Sequence, residues 1–231
     1  MLEVSGLARR FGDIAALDDV SFHVETGEIL GLVGPNGSGK TTLLETMSGL
    51  QPADSGEVRW HGRPLPPLRR KQRLFYVPDG LVPWPEHTTG SVLQFFARAF
   101  ARQGQVERFI DDLSLGSVVN KRVGSLSKGF RRRLLIALGL IAPHAVLLID
   151  EPFDGLDLRQ TREVAALLRA TASSGRSLVL AIHQLMDAER ICDRLVLLSE
   201  GKVRGEGRLE ALKSHAGLTS GSLEDVFLAL T

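Results

Sequence analysis

The sequence contains the stretch Gly34-Pro35-Asn36-Gly37-Ser38-Gly39-Lys40-Thr41-Thr42. It matches the phosphate-loop pattern G-x-x-x-x-G-K-[ST], follows a largely apolar run at 29–33, and opens a helical pattern that continues to Met47. Glycines let the backbone bend so that successive N–H groups point into one concavity, which suits an anion at a helix N-terminus. In this pattern Lys40 reaches the β- and γ-phosphates, and the Thr41 hydroxyl is a ligand of Mg²⁺. Glycine-rich turns also occur without ligands, but the lysine and the two threonines favour a nucleoside-triphosphate site.

Composition and charge are those of an ordinary soluble globular protein. The chain has 231 residues, of which 43% are hydrophobic and 24% charged, and its net charge of +1 gives no electrostatic reason to expect a nucleic-acid partner. The sole cysteine, Cys192, cannot form an internal disulfide and is expected to be a buried, reduced thiol. No secretory signal follows Met1, and the apolar stretch 134–149 is too short and too interrupted to span a bilayer. Any membrane role is therefore expected to come through a partner.

The order of apolar runs and turns predicts an α/β fold. We expect strands at 2–5, 17–24, 57–60, 73–77, 145–149, 177–182 and 194–199, and helices at 158–172 and 184–192. Uninterrupted apolar strands that alternate with helices indicate a parallel sheet covered on both faces. The basic run 69–71 is expected to lie on a solvated edge.

The segment 81–135 has a different character. A stiff Pro-Trp-Pro loop at 83–85 is followed by helical spacing, with further helices expected near 106–113 and after Ser127. The stripe Val92, Phe96, Ala99 and Phe100 is expected to pack in the core. The chain is thus predicted to have a nucleotide-binding core, formed by 1–80 and 136–231, and an inserted helical subdomain at 81–135.

Two carboxylates and a histidine follow predicted strands of the core. Asp150 and Glu151 end the strand Val146–Ile149, at the edge of a parallel sheet where ligands bind. Asp150 suits Mg²⁺ coordination, and Glu151 is placed to polarise an attacking water. The alternative is that this acidic pair only ends the strand and caps the turn that follows. His183 also follows an apolar strand, where a neutral imidazole donates a hydrogen bond to the γ-phosphate, although a lone histidine is as often structural.

Five motifs stand in the order found in ATP-binding cassette (ABC) transporter ATPases, and the chain resembles this family over essentially its whole length. They are 34–42, 126–130 (Leu-Ser-Lys-Gly-Phe), 146–151, 154–157 (Asp-Gly-Leu-Asp) and His183. The resemblance implies antiparallel N-terminal strands and two subunits that close head to tail around two ATP molecules. Ser127 and the Gly129 N–H would then contact the γ-phosphate held by the other subunit, Asp157 would link the two sites, and Phe11 would stack on adenine. Plain core packing is the alternative for Phe11.

Two residues depart from the family pattern. The family's usual Leu-Ser-Gly-Gly-Gln has Lys128 at its third position here. This lysine either adds charge near the triphosphate or points to solvent, and we expect the second. Asp79 stands where the family usually has a glutamine that touches Mg²⁺ and water. A carboxylate is a hard oxygen ligand that can bind the metal directly, and it also adds negative charge beside phosphates. We therefore expect Asp79 to slow hydrolysis or to make it more dependent on Mg²⁺.

The resemblance implies an ATP-hydrolysing transporter subunit that uses ATP and Mg²⁺. Its partners would be integral-membrane permease subunits and a second ATPase subunit, identical or not, with no nucleic acid. It would lie in the cytoplasm, on the cytoplasmic face of the cell membrane. The tail 222–231 and the Ser-Lys-Gly signature resemble exporter-type bacterial ATPases, although an amphipathic final helix that docks on the core would look similar. The loop 79–86 with Trp84 is either a docking site for the membrane partner or a buried anchor of the loop.

Two other functional classes remain open from the sequence. One is a soluble mechanical ATPase with the same cassette, although the chain has one cassette, no heptad arm and one cysteine. The other is a regulator that binds ATP only to dimerise. The presence of Glu151 and His183, the candidate hydrolytic residues, argues against this class.

Overall fold

The computed structural model describes all 231 residues and contains two β-sheets. Its strands are β1 (Leu2–Phe11), β2 (Ile14–Val24), β3 (Ile29–Val33), β4 (Ser55–Trp60), β5 (Arg63–Pro64), β6 (Leu74–Val77), β7 (Val146–Asp150), β8 (Ser177–Ile182), β9 (Arg194–Ser199) and β10 (Lys202–Gly207). One sheet has the order β2-β1-β4-β5 and is antiparallel. The other has the order β10-β9-β3-β8-β7-β6 and is parallel except for its edge strand β10.

The helices lie mainly after the phosphate-loop stretch and around the second sheet. They are α1 (Lys40–Ser48), α2 (Pro67–Arg70), α3 (Thr89–Ala99), α4 (Val106–Asp112), α5 (Lys128–Ile141), α6 (Leu158–Ser173), α7 (Leu185–Ile191), α8 (Leu209–His215) and α9 (Leu223–Leu230). None of them combines the length and the hydropathy that a membrane span needs.

Both faces of the parallel sheet are buried, because alternate residues of each strand enter different cores. Ile29 and Val33 of β3 pack in the core that holds α3 to α7, whereas Leu30 and Leu32 pack in the core shared with α1 and the antiparallel sheet. A strand that is buried on both sides has no polar face, which explains why these strands are continuous apolar runs. The α/β prediction with a parallel sheet and N-terminal antiparallel strands is confirmed.

The first two strands are longer than predicted, since the hairpin extends through Phe11 and Ile14. Register shifts in the β1–β2 pair lie between Val4 and Arg10 and break the two-residue alternation on which the prediction relied. Main-chain pairing between β1 and β2 therefore continues through arginines and small residues whose sequence lacks the apolar alternation typical of a strand.

The prediction that the basic run 69–71 lies on a solvated edge is wrong for Arg70. Its side chain is 4% exposed, and its guanidinium donates hydrogen bonds to the main-chain oxygens of Thr46 (2.5 Å) and Leu65 (3.1 Å). The last turn of α1 leaves carbonyls without helical partners, and Arg70 supplies donors for one of them. Burial also lowers the pKa of the Arg70 guanidinium.

The predicted aromatic stripe is only partly in the core. Val92 is buried, Phe96 and Phe100 are half-buried, and Ala99 is exposed. Both phenyl rings stand edge-on to Phe75 of β6, with ring centroids 6.3 Å apart in each pair. The stripe thus joins the helical segment to the edge of the parallel sheet.

Cys192 ends α7 as its C-cap, and burial raises the pKa of its thiol. A thiol with a raised pKa stays protonated at neutral pH and is a poor nucleophile, in agreement with the expected inert side chain.

Candidate functional site

The phosphate-loop stretch forms a tight turn between β3 and α1. A Cβ atom on Gly34 would lie 2.1 Å from the Leu198 carbonyl oxygen and 2.6 Å from Ser38 Oγ, so only glycine fits there. Gly39 has φ 105°, a left-handed conformation that brings the chain into the first turn of α1. The backbone can therefore pass close to its neighbours and present the helix N-terminus to a ligand.

Lys40 lies across this loop. Its side chain is buried, and its ammonium donates hydrogen bonds to the main-chain oxygens of Gly34 (2.7 Å) and Pro35 (3.1 Å). Burial lowers the pKa of Lys40, and the charges of Glu151 and Asp150 act in the opposite direction. An ammonium has three donors, so one remains for an anionic ligand beside the loop.

Thr41 and Asp150 meet at the same edge of the sheet. The Thr41 hydroxyl donates a 2.7 Å hydrogen bond to Asp150 Oδ2, and the Tyr76 hydroxyl lies 3.5 Å from the same oxygen. Burial raises the pKa of the Asp150 carboxyl, whereas the hydrogen bond from Thr41 lowers it. The structure has no cluster of three or more His, Cys, Asp or Glu side chains arranged around a metal position. One hydroxyl and one carboxylate nevertheless fit Mg²⁺, which takes hard oxygen ligands and keeps several waters.

Glu151 and His183 are brought together by neighbouring strands. β7 and β8 are paired, and the residues that follow them place His183 Nδ1 2.5 Å from Glu151 Oε2. Glu151 has φ 51°, which a non-glycine residue adopts at a cost, and its N–H donates to the Ala181 carbonyl. This geometry turns the carboxylate away from the strand and fixes it against the imidazole, leaving Nε2 of the ring free.

Most of these residues line one cavity of about 580 Å³, which we call the phosphate cavity, whereas Gly34, Ser38 and His183 are not part of its wall. Its wall includes the predicted residues Asn36, Gly37, Gly39, Lys40, Thr41, Thr42, Asp79, Asp150 and Glu151. A loop of main-chain donors, a lysine, a threonine hydroxyl and two carboxylates can hold a metal-bound triphosphate and orient a water toward it.

Residues 17–154 match the family described as "ABC transporter". The chain belongs to the ABC transporter family. Two relatives are both called "Nod factor export ATP-binding protein I". The Burkholderia lata protein is 35% identical over 218 residues, covering 91% of this chain and 72% of the relative. The Rhizobium etli protein is 36% identical over 217 residues, covering 90% and 68%.

Solved structures agree with this assignment. A structure described as the ATP binding subunit of an ABC transporter superposes with a TM-score of 0.90 at 28% identity, over 100% of this chain and 99% of the other. A dimeric ATP-binding cassette bound to ADP and Pi has a TM-score of 0.79 at 22% identity, over 90% and 99%, and shares the fold. The prediction of an ATP-binding ABC transporter subunit with ATPase activity is confirmed.

The N-terminal hairpin forms part of the wall beside the nucleotide-binding loop of this ABC ATPase. Phe11 is 45% exposed, so core packing is wrong for it, and the Arg9 guanidinium covers its ring at 4.7 Å from the centroid. Phe11 is not part of the cavity wall. Ile14, its partner across the hairpin, lines the cavity instead, together with Ala15, Ala16 and Glu200. The wall at Ile14 depends on the register of the hairpin, which the sequence pattern did not define.

The signature residues of the ABC ATPase lie outside the phosphate cavity of their own chain. Ser127 is the N-cap of α5 and its hydroxyl accepts a hydrogen bond from the Phe130 N–H. A Cβ atom on Gly129 would be 2.6 Å from the Gly155 carbonyl oxygen, so glycine is required where α5 meets the loop after β7. Asp157 forms a capping box at the start of α6.

We expected the side chain of Lys128 to point to solvent, but it also forms an ion pair. Its side chain is largely exposed, but its ammonium lies 2.5 Å from the Asp154 carboxylate in the loop after β7. This ion pair raises the pKa of Lys128. The lysine that distinguishes this signature sequence thus ties the start of α5 to a neighbouring loop.

Asp79 has a charged partner within the chain. It lines the phosphate cavity, but its Oδ1 is engaged by the guanidinium of Arg132, a residue of α5 that the sequence reasoning missed. The same guanidinium donates to the main-chain oxygen of Asp150 at 3.0 Å. Arg132 thus supplies an opposite charge beside Asp79. The effect of Asp79 on hydrolysis and on its Mg²⁺ dependence stays a prediction.

Proposed function

We propose that this chain hydrolyses Mg²⁺-ATP at sites shared by two copies and drives separate membrane subunits of an exporter. The observation that carries this proposal is the contact between Glu151 and His183 beside the Thr41–Asp150 pair. A carboxylate held by an imidazole beside a phosphate loop supports hydrolysis at this edge of the sheet. The chain has no helix suited to crossing a membrane, so the transport path is assigned to partner subunits.

The residues at and beside the phosphate cavity have distinct roles in this proposal. The loop N–H groups and Lys40 bind the phosphate oxygens, and Thr41 and Asp150 would hold the metal. When bound, Mg²⁺ neutralises charge that develops on the phosphates. Glu151 orients the attacking water and accepts its proton, while His183 fixes the carboxylate by donating from Nδ1. A neutral ring that donates from Nδ1 has only a lone pair at Nε2, so a hydrogen bond from Nε2 to the γ-phosphate requires the doubly protonated imidazole.

The position of the signature residues supports a head-to-tail dimer. Ser127 and Gly129 stand at the N-terminus of α5, where main-chain N–H groups and the helix dipole favour an anion. They do not line the cavity of their own chain, and a second copy placed head to tail would bring them to its phosphates. Asp157, at the start of α6, would lie beside the same interface.

An apolar groove of about 320 Å³ is the proposed docking site for the membrane partner. It lies between β6 and α5, and nine of its eleven lining residues are hydrophobic, Leu81 and Trp84 among them. Trp84 is 45% exposed although it contacts Phe95 and Phe96 edge-on, so half of a large ring is free for a partner. The Trp84→Ala variant is expected to lose partner binding while keeping ATP binding.

The direction of transport is proposed from the relatives, which are named for export. The tail gives no separate support, because α9 packs its Leu223 and Val226 into the core as an ordinary amphipathic helix. Mg²⁺ as the metal and the cytoplasmic face of the cell membrane as the location belong to the same proposal.

A capture experiment tests the proposed function. The Glu151→Gln variant, which should hold ATP without hydrolysing it, is used with Mg²⁺-ATP to capture proteins from detergent-solubilised native membranes. We expect a multi-span membrane protein in stoichiometric amount, and its loss when Trp84→Ala is added. Capture of ribosomes or soluble proteins only would replace the transporter with a mechanical ATPase. Lys40→Ala combined with Glu151→Gln is the control for capture that needs no nucleotide.

A further inference from the structure

Helix α5 carries two cations one turn apart, and each is paired with a carboxylate from a different loop of the nucleotide site. Lys128 contacts Asp154 in the loop after β7, and Arg132 contacts Asp79 in the loop after β6. Residues four apart lie on the same face of a helix, so this face of α5 is directed at both loops. Of the two pairs, only the one with Arg132 reaches the phosphate cavity.

Arg132 is buried, with a side chain only 3% exposed. Its guanidinium has two partners, the carboxylate of Asp79 and the main-chain oxygen of Asp150. A buried cation is costly unless it is paired, and Asp79 is the one carboxylate within ion-pair distance of it. The side chain thus joins three elements: the loop after β6, the helix that begins with the signature residues, and the end of β7.

The phosphate cavity has an unfavourable charge balance for an anionic ligand. Four carboxylates line it (Asp79, Asp150, Glu151 and Glu200) but only one cation, Lys40. A triphosphate brings further negative charge, and like charges a few ångströms apart repel strongly where water is partly excluded. Arg132 stands behind Asp79, outside the wall, and offsets one of these carboxylates.

We propose that Arg132 is a positioning residue that neutralises Asp79 and holds it beside the phosphate cavity, so that ATP binds despite the extra carboxylate at position 79. The inference rests on the proposed function, since it requires ATP in this cavity. The pair also fixes the loop after β6 to α5, so loss of Arg132 changes both the charge and the position of that loop, whereas an asparagine at position 79 can still accept a hydrogen bond from the guanidinium.

A double-mutant cycle tests this role by measuring ATP and ADP dissociation constants by calorimetry, with the melting temperature of each variant. Arg132→Gln leaves the Asp79 charge unbalanced, and we expect ATP affinity to fall by about tenfold or more, with a smaller loss for ADP. Asp79→Asn combined with Arg132→Gln should restore ATP affinity to within about threefold of the unmodified chain, because both charges are then gone. Arg132→Lys, which keeps the charge, should retain most of the affinity.

The control is Arg108→Gln, which breaks a surface ion pair with Asp112 far from the cavity and should leave both affinities unchanged. The inference is overturned if the double variant binds ATP as weakly as Arg132→Gln, since a purely structural arginine would give that result. If Arg132→Gln does not fold, the Asp79→Asn variant tests the proposed role of Arg132 instead. Asp79→Asn should bind ATP at least as tightly as the unmodified chain, and a loss of ATP affinity of about tenfold or more would refute that role. An unmodified chain that fails to bind ATP would instead refute the proposed function.

Discussion

Replacing Glu151 by glutamine is expected to stop hydrolysis and leave ATP binding intact. The change removes the negative charge that orients and deprotonates water but keeps a side chain of the same length. The replacement glutamine would adopt the positive φ that Glu151 has (51°), and its amide oxygen can still accept a hydrogen bond from His183 Nδ1. The variant therefore separates the chemistry of the site from its shape.

The expected effects of Glu151→Gln on the hydrolysis rate and on stability differ in size. A general base contributes about 10²- to 10⁴-fold to a rate, which corresponds to about 3–5 kcal/mol of activation free energy. The stability cost is smaller, because a hydrogen bond to a charged group becomes a neutral one at a partly solvated position, a loss of about 1 kcal/mol. The loss of activity should thus greatly exceed any loss of folded protein.

Single-turnover hydrolysis of radiolabelled ATP by the purified chain, with ATP binding measured in parallel, is the assay. Glu163→Gln is the matched control, since it makes the same chemical change at an exposed position of α6 that pairs only with Arg159. We expect the control to keep the full rate. If Glu151→Gln retained more than about a tenth of the rate, Glu151 would not be the base, because that loss is below the range for general-base catalysis.

Two further predictions concern the phosphate loop and the packing of α1. Gly34→Ala would place a Cβ atom 2.1 Å from the Leu198 oxygen. We therefore expect ATP binding to be lost and urea unfolding to show a destabilisation of about 1–3 kcal/mol. Gly116→Ala, which has open space at its Cβ position, should change neither ATP binding nor stability. Arg70→Ala removes one donor from each of two buried carbonyls and should lower the free energy of unfolding by about 1–3 kcal/mol in the same assay. Arg69→Ala, at an exposed position, should stay within about 0.5 kcal/mol of the unmodified chain.

The parallel sheet and its edge were predictable from the sequence. Strands buried on both faces must be apolar throughout, so 177–182 and 194–199 were predicted with the bounds that the structure shows. The carboxyl ends of parallel strands meet at one edge, which is why residues predicted separately, such as Thr41 and Asp150, lie in contact. The N-terminal hairpin was predicted less well, because its bulges interrupt the alternation of apolar residues.

Side-chain partners within the site were not predictable in the same way. Arg132 lies in the basic run 131–133 near the start of α5, and nothing in the local pattern shows that it reaches Asp79, 53 positions earlier. Such a pair depends on how α5 packs against the loop after β6, which is a tertiary arrangement. The same holds for Ile14, whose place in the cavity wall follows from hairpin register and not from its residue type.

The central claim is that each ATP site is shared between two copies of the chain, and mixing two inactive variants tests it most directly. Lys40→Ala disables the phosphate loop, and Ser127→Arg disables the signature end, so either variant alone forms no intact site. A one-to-one mixture forms mixed dimers in which one of the two sites is intact, and the account predicts about a quarter of the unmodified ATPase rate. A mixture as inactive as its separate components, with mixed dimers demonstrated by cross-linking, would contradict a shared head-to-tail site.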